Sequence, residues 1–289
     1  MADDRVAHDP RFRSGPPASP ATALPPIPSG LVEVLGGAAA TQVWVKRESE
    51  VWRVELPDGP AFLKIVDGLD PFADEVARLR WCTEHSPVVT PLLLADAMDS
   101  WGRGWFLTGE VAGTPAHDVD LAARDPDAVA LAIAAGLRRF HDQADPASCP
   151  FAMGVDDLIA SAEVRVGAGG VDPTTMRDEA YRHQTGGQLL DHLIATRPPE
   201  PAADQVVTHG DPCQPNLLLA PTSGGFVLVG LVDLGRLAVT DRFRDLAIAA
   251  RSLDQNLGPD AAAAFLAAYG PEADDPDRLA WWTLVDDLW

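Results

Sequence analysis

The stretch VVTHGDPCQPNLLLA, residues 206–220, runs from one apolar strand to another through a short polar loop. His209, Asp211 and Asn216 lie inside that loop, between flanks that read as buried. Asp, Asn, Gly and Pro accept unusual backbone angles, so turn chemistry by itself would take the loop as a connector. A turn that only connects strands has no use for the fixed five-residue interval from Asp211 to Asn216. A second apolar strand follows in VLVGLVDLGRL, residues 227–237, and it too ends on an acid, Asp233, with Gly235 completing a D-x-G pattern.

Upstream, the chain changes character once. Residues 1–28 are rich in Pro and Ala, carry no periodic apolar pattern and read as a flexible tail. Strand patterns at 42–45, 51–56 and 61–66 follow, the last two separated by a PDG turn as in a hairpin. Pro71 then opens a helical pattern that puts Phe72, Glu75, Val76, Leu79 and Cys82 on one face. Strands at 88–94 and 105–111 complete a small antiparallel sheet. After EVAGTP, residues 110–115, helical patterns take over at 127–143, 156–166 and 187–195, with Val129, Ile133, Leu137 and Phe140 on one stripe of the first. The expected architecture is α+β and two-lobed: a tail (1–28), a sheet-rich lobe (29–111), a hinge near 110–113, and a mainly helical lobe (112–289).

A formal charge of −21 over 289 residues argues against nucleic acid or an anionic membrane surface as a partner, because both select basic patches. A cationic small molecule fits that charge, which a solvated surface would also explain. Cys82, Cys149 and Cys213 are scattered and show neither disulfide nor zinc spacing. With no signal-like or membrane-length apolar run, a soluble cytoplasmic protein is expected.

The only lysines are Lys46 and Lys64. Strand alternation places Lys64 on one face with Phe62 and Val66, where an ammonium needs a partner. Glu75, on the apolar stripe of the next helix, has the complementary need. A strand lysine held by a helix glutamate is how protein kinases aim an ammonium at the α and β phosphates of ATP. The Asp211-to-Asn216 interval is that of the kinase H-R-D-x-x-x-x-N loop, in which the aspartate meets the acceptor hydroxyl and the asparagine holds a metal. D-x-G alone is commonly a turn, but at this distance behind such a loop it indicates a magnesium-binding aspartate.

THGDPCQPNLLL, VDLGRLAVTDRFRDLAIAARSL and the terminal RLAWWTLVDDLW resemble the aminoglycoside phosphotransferases, and within them the 3′-phosphotransferases. The resemblance implies a protein-kinase-like fold, ATP as co-substrate, Mg2+, and a polycationic aminoglycoside as acceptor. It makes Asp211 the catalytic aspartate, gives magnesium to Asn216 and Asp233, and assigns the nucleotide phosphates to Lys64 with Glu75. His209 would brace the loop, and Asp241 and Asp245 would anchor the catalytic region. Asp178, Glu179, Asp286 and Asp287, with the terminal carboxylate of Trp289, would hold acceptor ammonium groups, and Arg236 would brace those acids. One departure stands out: VKRESEVWRV, residues 45–54, contains no glycine where protein kinases carry G-x-G-x-x-G. Phosphate contacts would then use amides near Arg47 to Glu50 together with Ser49, and adenine would meet the backbone near Glu110 and Ala112. The alternatives are a kinase for another small amine or sugar, such as choline or a fructosamine, and a catalytically silent nucleotide-binding scaffold.

Overall fold

The computed structural model describes residues 19–46, 48–118, 125–176 and 178–288. Contacts divide the chain into two compact units, Met1–Ala112 and Gly113–Trp289.

In the first unit, β1 (Ala39–Val45), β2 (Ser49–Leu56), β3 (Gly59–Asp67), β4 (Leu93–Met98) and β5 (Arg103–Gly109) form one antiparallel sheet of order β1-β2-β3-β5-β4. Strand alternation in β3 separates two faces. Ala61, Leu63 and Ile65 enter a core with Leu31, Leu35, Trp52, Val54, Trp105 and Leu107. Lys64 looks the other way, toward α2 (Leu69–His85), whose Glu75 it binds. That helix closes on the sheet because Gly104 leaves room: a Cβ there would lie 2.2 Å from the Phe72 ring.

Two expectations need correction. The strand expected at 88–94 is Leu93–Met98, since Pro87 and Pro91 lack the N–H groups a ladder requires. The segment expected as a free tail is not detached where it is described. Ala21 O accepts from Gln42 N at 2.9 Å, and Leu24 and Ile27 pack against the core. The cause is the sheet face opposite α2, whose tryptophans and leucines must be covered; Leu24 and Ile27 join Leu31 and the short α1 (Val32–Leu35) in covering it. Residues 1–18 of that expectation lie outside the described residues.

The second unit contains β6 (Thr114–Pro115), α3 (Pro126–Gln143), α4 (Val155–Gly167), α5 (Gly186–Ala195), β7 (Gln205–Thr208), β8 (Leu217–Thr222), β9 (Gly225–Leu231), β10 (Ala238–Asp241), α6 (Phe243–Leu257), α7 (Pro259–Tyr269) and α8 (Pro276–Leu288). Helix α3 starts where Asp125 accepts from Ala128 N at 2.9 Å and Pro126 occupies the first turn. Its stripe of Val129, Ile133, Leu137 and Phe140 is fully buried. β7 pairs antiparallel with β10, and β6, β8 and β9 form a three-stranded sheet. Among the described residues, no helix is long and apolar enough to cross a membrane.

Leu24→Ala combined with Ile27→Ala is expected to lower the unfolding free energy by about 2–4 kcal/mol, since each side chain is half-buried on the core. Urea denaturation measures this. An unchanged midpoint would show that the segment does not cover the core.

Candidate functional site

β7 delivers His209, Gly210 and Asp211 directly off its end, and β10 returns alongside it with Ala238 opposite Thr208. The pair fixes where the loop begins. Gly210 sits at φ +86°, and a Cβ there would lie 2.2 Å from Arg236 O, so only glycine lets the two loops approach this closely. His209 then ties them together. Its Nδ1 accepts from Asp211 N at 3.2 Å, so its Nε2–H donates to Val232 O at 3.0 Å, the carbonyl just before Asp233. Asn216 adds two further links: its Nδ2 donates to Asp211 O at 2.9 Å, and its carbonyl accepts from Val232 N at 3.0 Å. Asp211, Asn216 and Asp233 are thus brought together by backbone-level bonds.

Beneath the loop lies Asp245, in the first turn of α6 and fully buried. It accepts from His209 N at 2.7 Å and from Gly210 N at 2.8 Å, and His141 Nε2 is 3.0 Å away. Burial pushes this carboxyl up, but the hydrogen bonds from His141 and from the Gly210 N–H outweigh it and hold it below the ordinary value. The far side of His141 meets Tyr269 OH at 2.8 Å, and Arg242 Nη1 donates to the same hydroxyl at 3.2 Å. Burial raises the Tyr269 hydroxyl to about 12, so it stays a donor.

Asp233 is the one described non-glycine residue with a left-handed backbone, φ 60°. Such backbone strain persists where surrounding structure over-determines it, as at ligand sites. Its carboxylate and that of Asp211 both act on Cys213: burial raises this thiol well above its ordinary value, and the two acids reinforce the rise. Both carboxylates therefore lie within electrostatic reach of the Cys213 thiol. With its Nδ2 committed to the loop, the remaining polar atom of the Asn216 side chain is its Oδ1. Carboxylate and amide oxygens are the hard donors magnesium takes, and they fit it. Among the described residues no three His, Cys, Asp or Glu groups converge as a self-sufficient metal site, so such an ion would draw its remaining ligands from phosphate and water.

In the first unit, Lys64 Nζ lies 2.9 Å from both carboxylate oxygens of Glu75 and 5.9 Å from the Phe106 ring centre. Ser49 opens β2, and its carbonyl accepts from Lys46 N at 2.7 Å to close the β1–β2 turn. Arg47 lies outside the described residues. Glu110 N donates to Pro60 O at 3.2 Å, and Ala112 is exposed.

The acids are less uniform than the sequence suggests. Asp286 and Asp287 both pair with Arg251 of α6, the second at 3.6 Å, and this half-buried arginine was not among the expected residues. Asp178 caps Ala180 N at 2.9 Å, and both Asp178 and Asp287 act on Tyr181, whose hydroxyl is raised first by burial and then by their charges. Glu179 is exposed and pairs with Arg182 at 3.3 Å. Arg236 is placed through its carbonyl, which accepts from Arg244 Nη1 at 3.3 Å. Trp289 lies outside the described residues. Sequence reasoning missed His141, Tyr269 and Arg251, and took Cys213 only as a scattered thiol although it stands inside the loop.

Residues 39–282 match the model of the phosphotransferase enzyme family, and the chain belongs to that family. The aminoglycoside 3′-phosphotransferase of Streptomyces fradiae is 35 % identical over 218 residues, which are 74 % of this chain and 78 % of that one. The streptomycin 3″-kinase of Streptomyces griseus is 34 % identical over 229 residues, 76 % of this chain and 80 % of that one. The solved aminoglycoside phosphotransferase APH(3'')-Id of Streptomyces rimosus, in complex with ADP and streptomycin, is 28 % identical with a TM-score of 0.67, covering 83 % of this chain and 90 % of that one. The α+β, kinase-like fold read from the sequence is therefore the fold of an enzyme family of kinases.

Gly210→Ala is expected to destabilise by more than about 3 kcal/mol or to displace the loop, because the clash is with backbone. Thermal unfolding checks this, and wild-type stability would mean the two loops are not held in contact. Asp245→Asn tests the buried carboxylate. A depressed carboxyl stabilises fully above its unfolded value of 3.8 and loses that contribution as pH falls through the lower folded value. The variant should therefore be less stable at pH 7 and lose less stability below pH about 4 than the wild type. Parallel stability–pH curves would remove Asp245 from the account.

Proposed function

We propose that the chain transfers the γ-phosphoryl group of ATP to the 3′-hydroxyl of an aminoglycoside, inactivating it as an antibiotic. The observation that carries this reading is the convergence of Asp211, Asn216 and Asp233 on one loop system locked by His209 and Asp245. A silent scaffold would gain nothing from such a constellation.

Asp211 is the catalytic residue in this reading: it orients the acceptor hydroxyl and takes its proton as the oxygen bonds to the γ-phosphorus. The bond from that phosphorus to the β-phosphate bridging oxygen breaks, and ADP leaves. Phosphoryl transfer demands positioning and charge neutralisation more than a strong base, so a carboxylate is sufficient. Asn216 and Asp233 would hold magnesium, which offsets negative charge on the β and γ phosphates. Lys64, aimed by Glu75, serves the α and β phosphates, the β1–β2 turn with Ser49 lies along the phosphates, and the backbone at Glu110 and Ala112 serves the adenine.

For the acceptor, Asp178, Glu179, Asp286, Asp287 and the Trp289 terminus supply negative charge to ammonium groups, with Arg236 as their expected brace. Arg251 pairs with Asp286 and Asp287 and tempers that charge. The overall −21 draws a polycation and repels nucleic acid and anionic membrane alike. Similarity to 3′-phosphotransferases supports the 3′ position. Transfer to a 3″-hydroxyl is the second reading, favoured by the 34 % identity to a streptomycin kinase.

Asp211→Ala should lower kcat about 10²- to 10⁴-fold while leaving ADP affinity within a few-fold of wild type. Near-normal turnover would remove Asp211 from the mechanism. In an ADP-release assay the wild type should phosphorylate kanamycin and neomycin, whereas a 3′-deoxy analogue should bind without turning over. Turnover of streptomycin with none of kanamycin would replace the 3′ reading by the 3″ one.

A further inference from the structure

The β1–β2 turn has no glycine, yet something must fix it if it is to lie along phosphates. Two observations bear on how. The first is a bulge: Gln42 pairs with Trp52 and Trp44 with Val51, so Val43 is an extra residue in β1 just before the turn. Bulges increase local twist and re-aim the chain near functional sites. The second is Glu50, the second residue of β2, which acts as a hub across that bulge.

Glu50 Oε2 accepts from Gln42 Nε2 of β1 at 2.6 Å and from Trp52 Nε1 at 3.1 Å. Its Oε1 lies 3.7 Å from Arg103 Nη1 on β5. Arg103 is itself held, with Nε donating to Asp99 Oδ2 at 2.8 Å and its guanidinium 5.7 Å from the ring centres of Trp101 and Trp105. Asp99, nearly inaccessible, also accepts from Trp105 Nε1 and from the backbone N–H groups of Trp101 and Arg103. Although burial works against it, these hydrogen bonds bring the Asp99 carboxyl down to about 2, so it stays charged. The chain of contacts runs from the β4–β5 hairpin to the two strands that carry the β1–β2 turn. By register it lies on the sheet face opposite Lys64, because Glu50 pairs with Ile65 and Trp105 pairs with Ile65 from the other side.

We propose that Glu50, braced by Arg103 and Asp99, is a positioning residue for the ATP phosphates, holding the glycine-free β1–β2 turn from the far face of the sheet. The proposal rests on the phosphotransferase reading above. A glycine-rich loop reaches phosphates by backbone freedom. This turn would reach them by being pre-set, with Lys46 N bonded to Ser49 O and Asp67 N to Glu48 O at 3.0 Å.

The test compares Glu50→Ala and Glu50→Gln in the full chain by two readouts, steady-state kinetics and hydrogen exchange of the turn amides. Glu50→Ala is expected to raise KM for ATP about tenfold, with kcat and KM for kanamycin within twofold, and to speed exchange at Lys46 and Asp67 about tenfold. Glu50→Gln, which still accepts from Gln42 and Trp52, should recover most of both. Unchanged KM for ATP together with unchanged exchange would overturn the proposal. So would a parallel loss of kcat, acceptor binding and melting temperature, which marks a purely structural role. If the wild type shows no ATP turnover the phosphotransferase reading fails, and wild-type exchange in Glu50→Ala would then separately overturn the bracing.

Discussion

A single buried carboxylate organises the second unit. Asp245 receives two successive backbone N–H groups, from His209 and Gly210, at the point where β7 ends and the loop to Asp211 begins. Neither donor can be satisfied by a strand partner there, because the chain is turning away, and an unpaired buried N–H costs about 1–3 kcal/mol. The carboxylate satisfies both and is in turn held charged by His141. From that anchor the remaining geometry follows: Gly210 can take its left-handed angle, His209 can swing under the loop, and its ring can span from Asp211 N to Val232 O. The site is positioned from below by groups of the chain itself.

The same solution recurs elsewhere in the described residues. Arg278 of α8 donates from Nε to Asp241 Oδ2 at 3.0 Å and from Nη1 to Asp204 Oδ2 at 2.6 Å, and Arg242 Nε sits 3.1 Å from Asp204. Lys64 with Glu75 and Arg103 with Asp99 are the first unit's versions. Removing one member of such a pair costs about 3–5 kcal/mol, chiefly because the other is stranded. These pairs are weak evidence for stability but strong constraints on geometry. Arg278 fixes the start of α8, and Arg251 receives its end through Asp286 and Asp287, so α8 is held at both ends by charge.

Some of this was legible in the sequence and some was not, for physical reasons. The Asp211-to-Asn216 interval, Asp233 at a strand end, and Lys64 and Glu75 on facing apolar surfaces are local or periodic signals. They are visible because burying a charge in an apolar pattern demands an explanation. His141 gave no such signal: it lies beside Phe140 on α3, and its partner Asp245 is 104 residues away in another helix. Glu50 entered the sequence reading only as the end of the amide run from Arg47, since Gln42, Trp52 and Arg103 meet its side chain only once the sheet is formed. The strand misplaced to 88–94 followed apolar content where the prolines should have decided. The tail misjudgement came from ranking composition above the cover that an exposed sheet face requires.

Under the proposed function, the division between rigid and adaptable parts bears on which acceptor hydroxyl is presented. Around Asp211 the constraints run through backbone groups, namely Asp211 N and O, Val232 N and O, and Asn216 O, which a change of side chain elsewhere does not readily move. Around the acids they run through side chains: Asp178 and Asp287 beside Tyr181, Glu179 exposed and paired with Arg182, and Tyr181 OH 3.3 Å from His192 Nε2. A 3′ and a 3″ enzyme need the same phosphoryl machinery and differ in how the antibiotic is turned before it. A selectivity of tenfold corresponds to about 1.4 kcal/mol, within reach of one well-placed charged contact at about 1.5–3 kcal/mol. If these acids hold the acceptor as proposed, they, with Arg251 offsetting part of their charge, are where the choice between hydroxyls has both the freedom and the energy to be made.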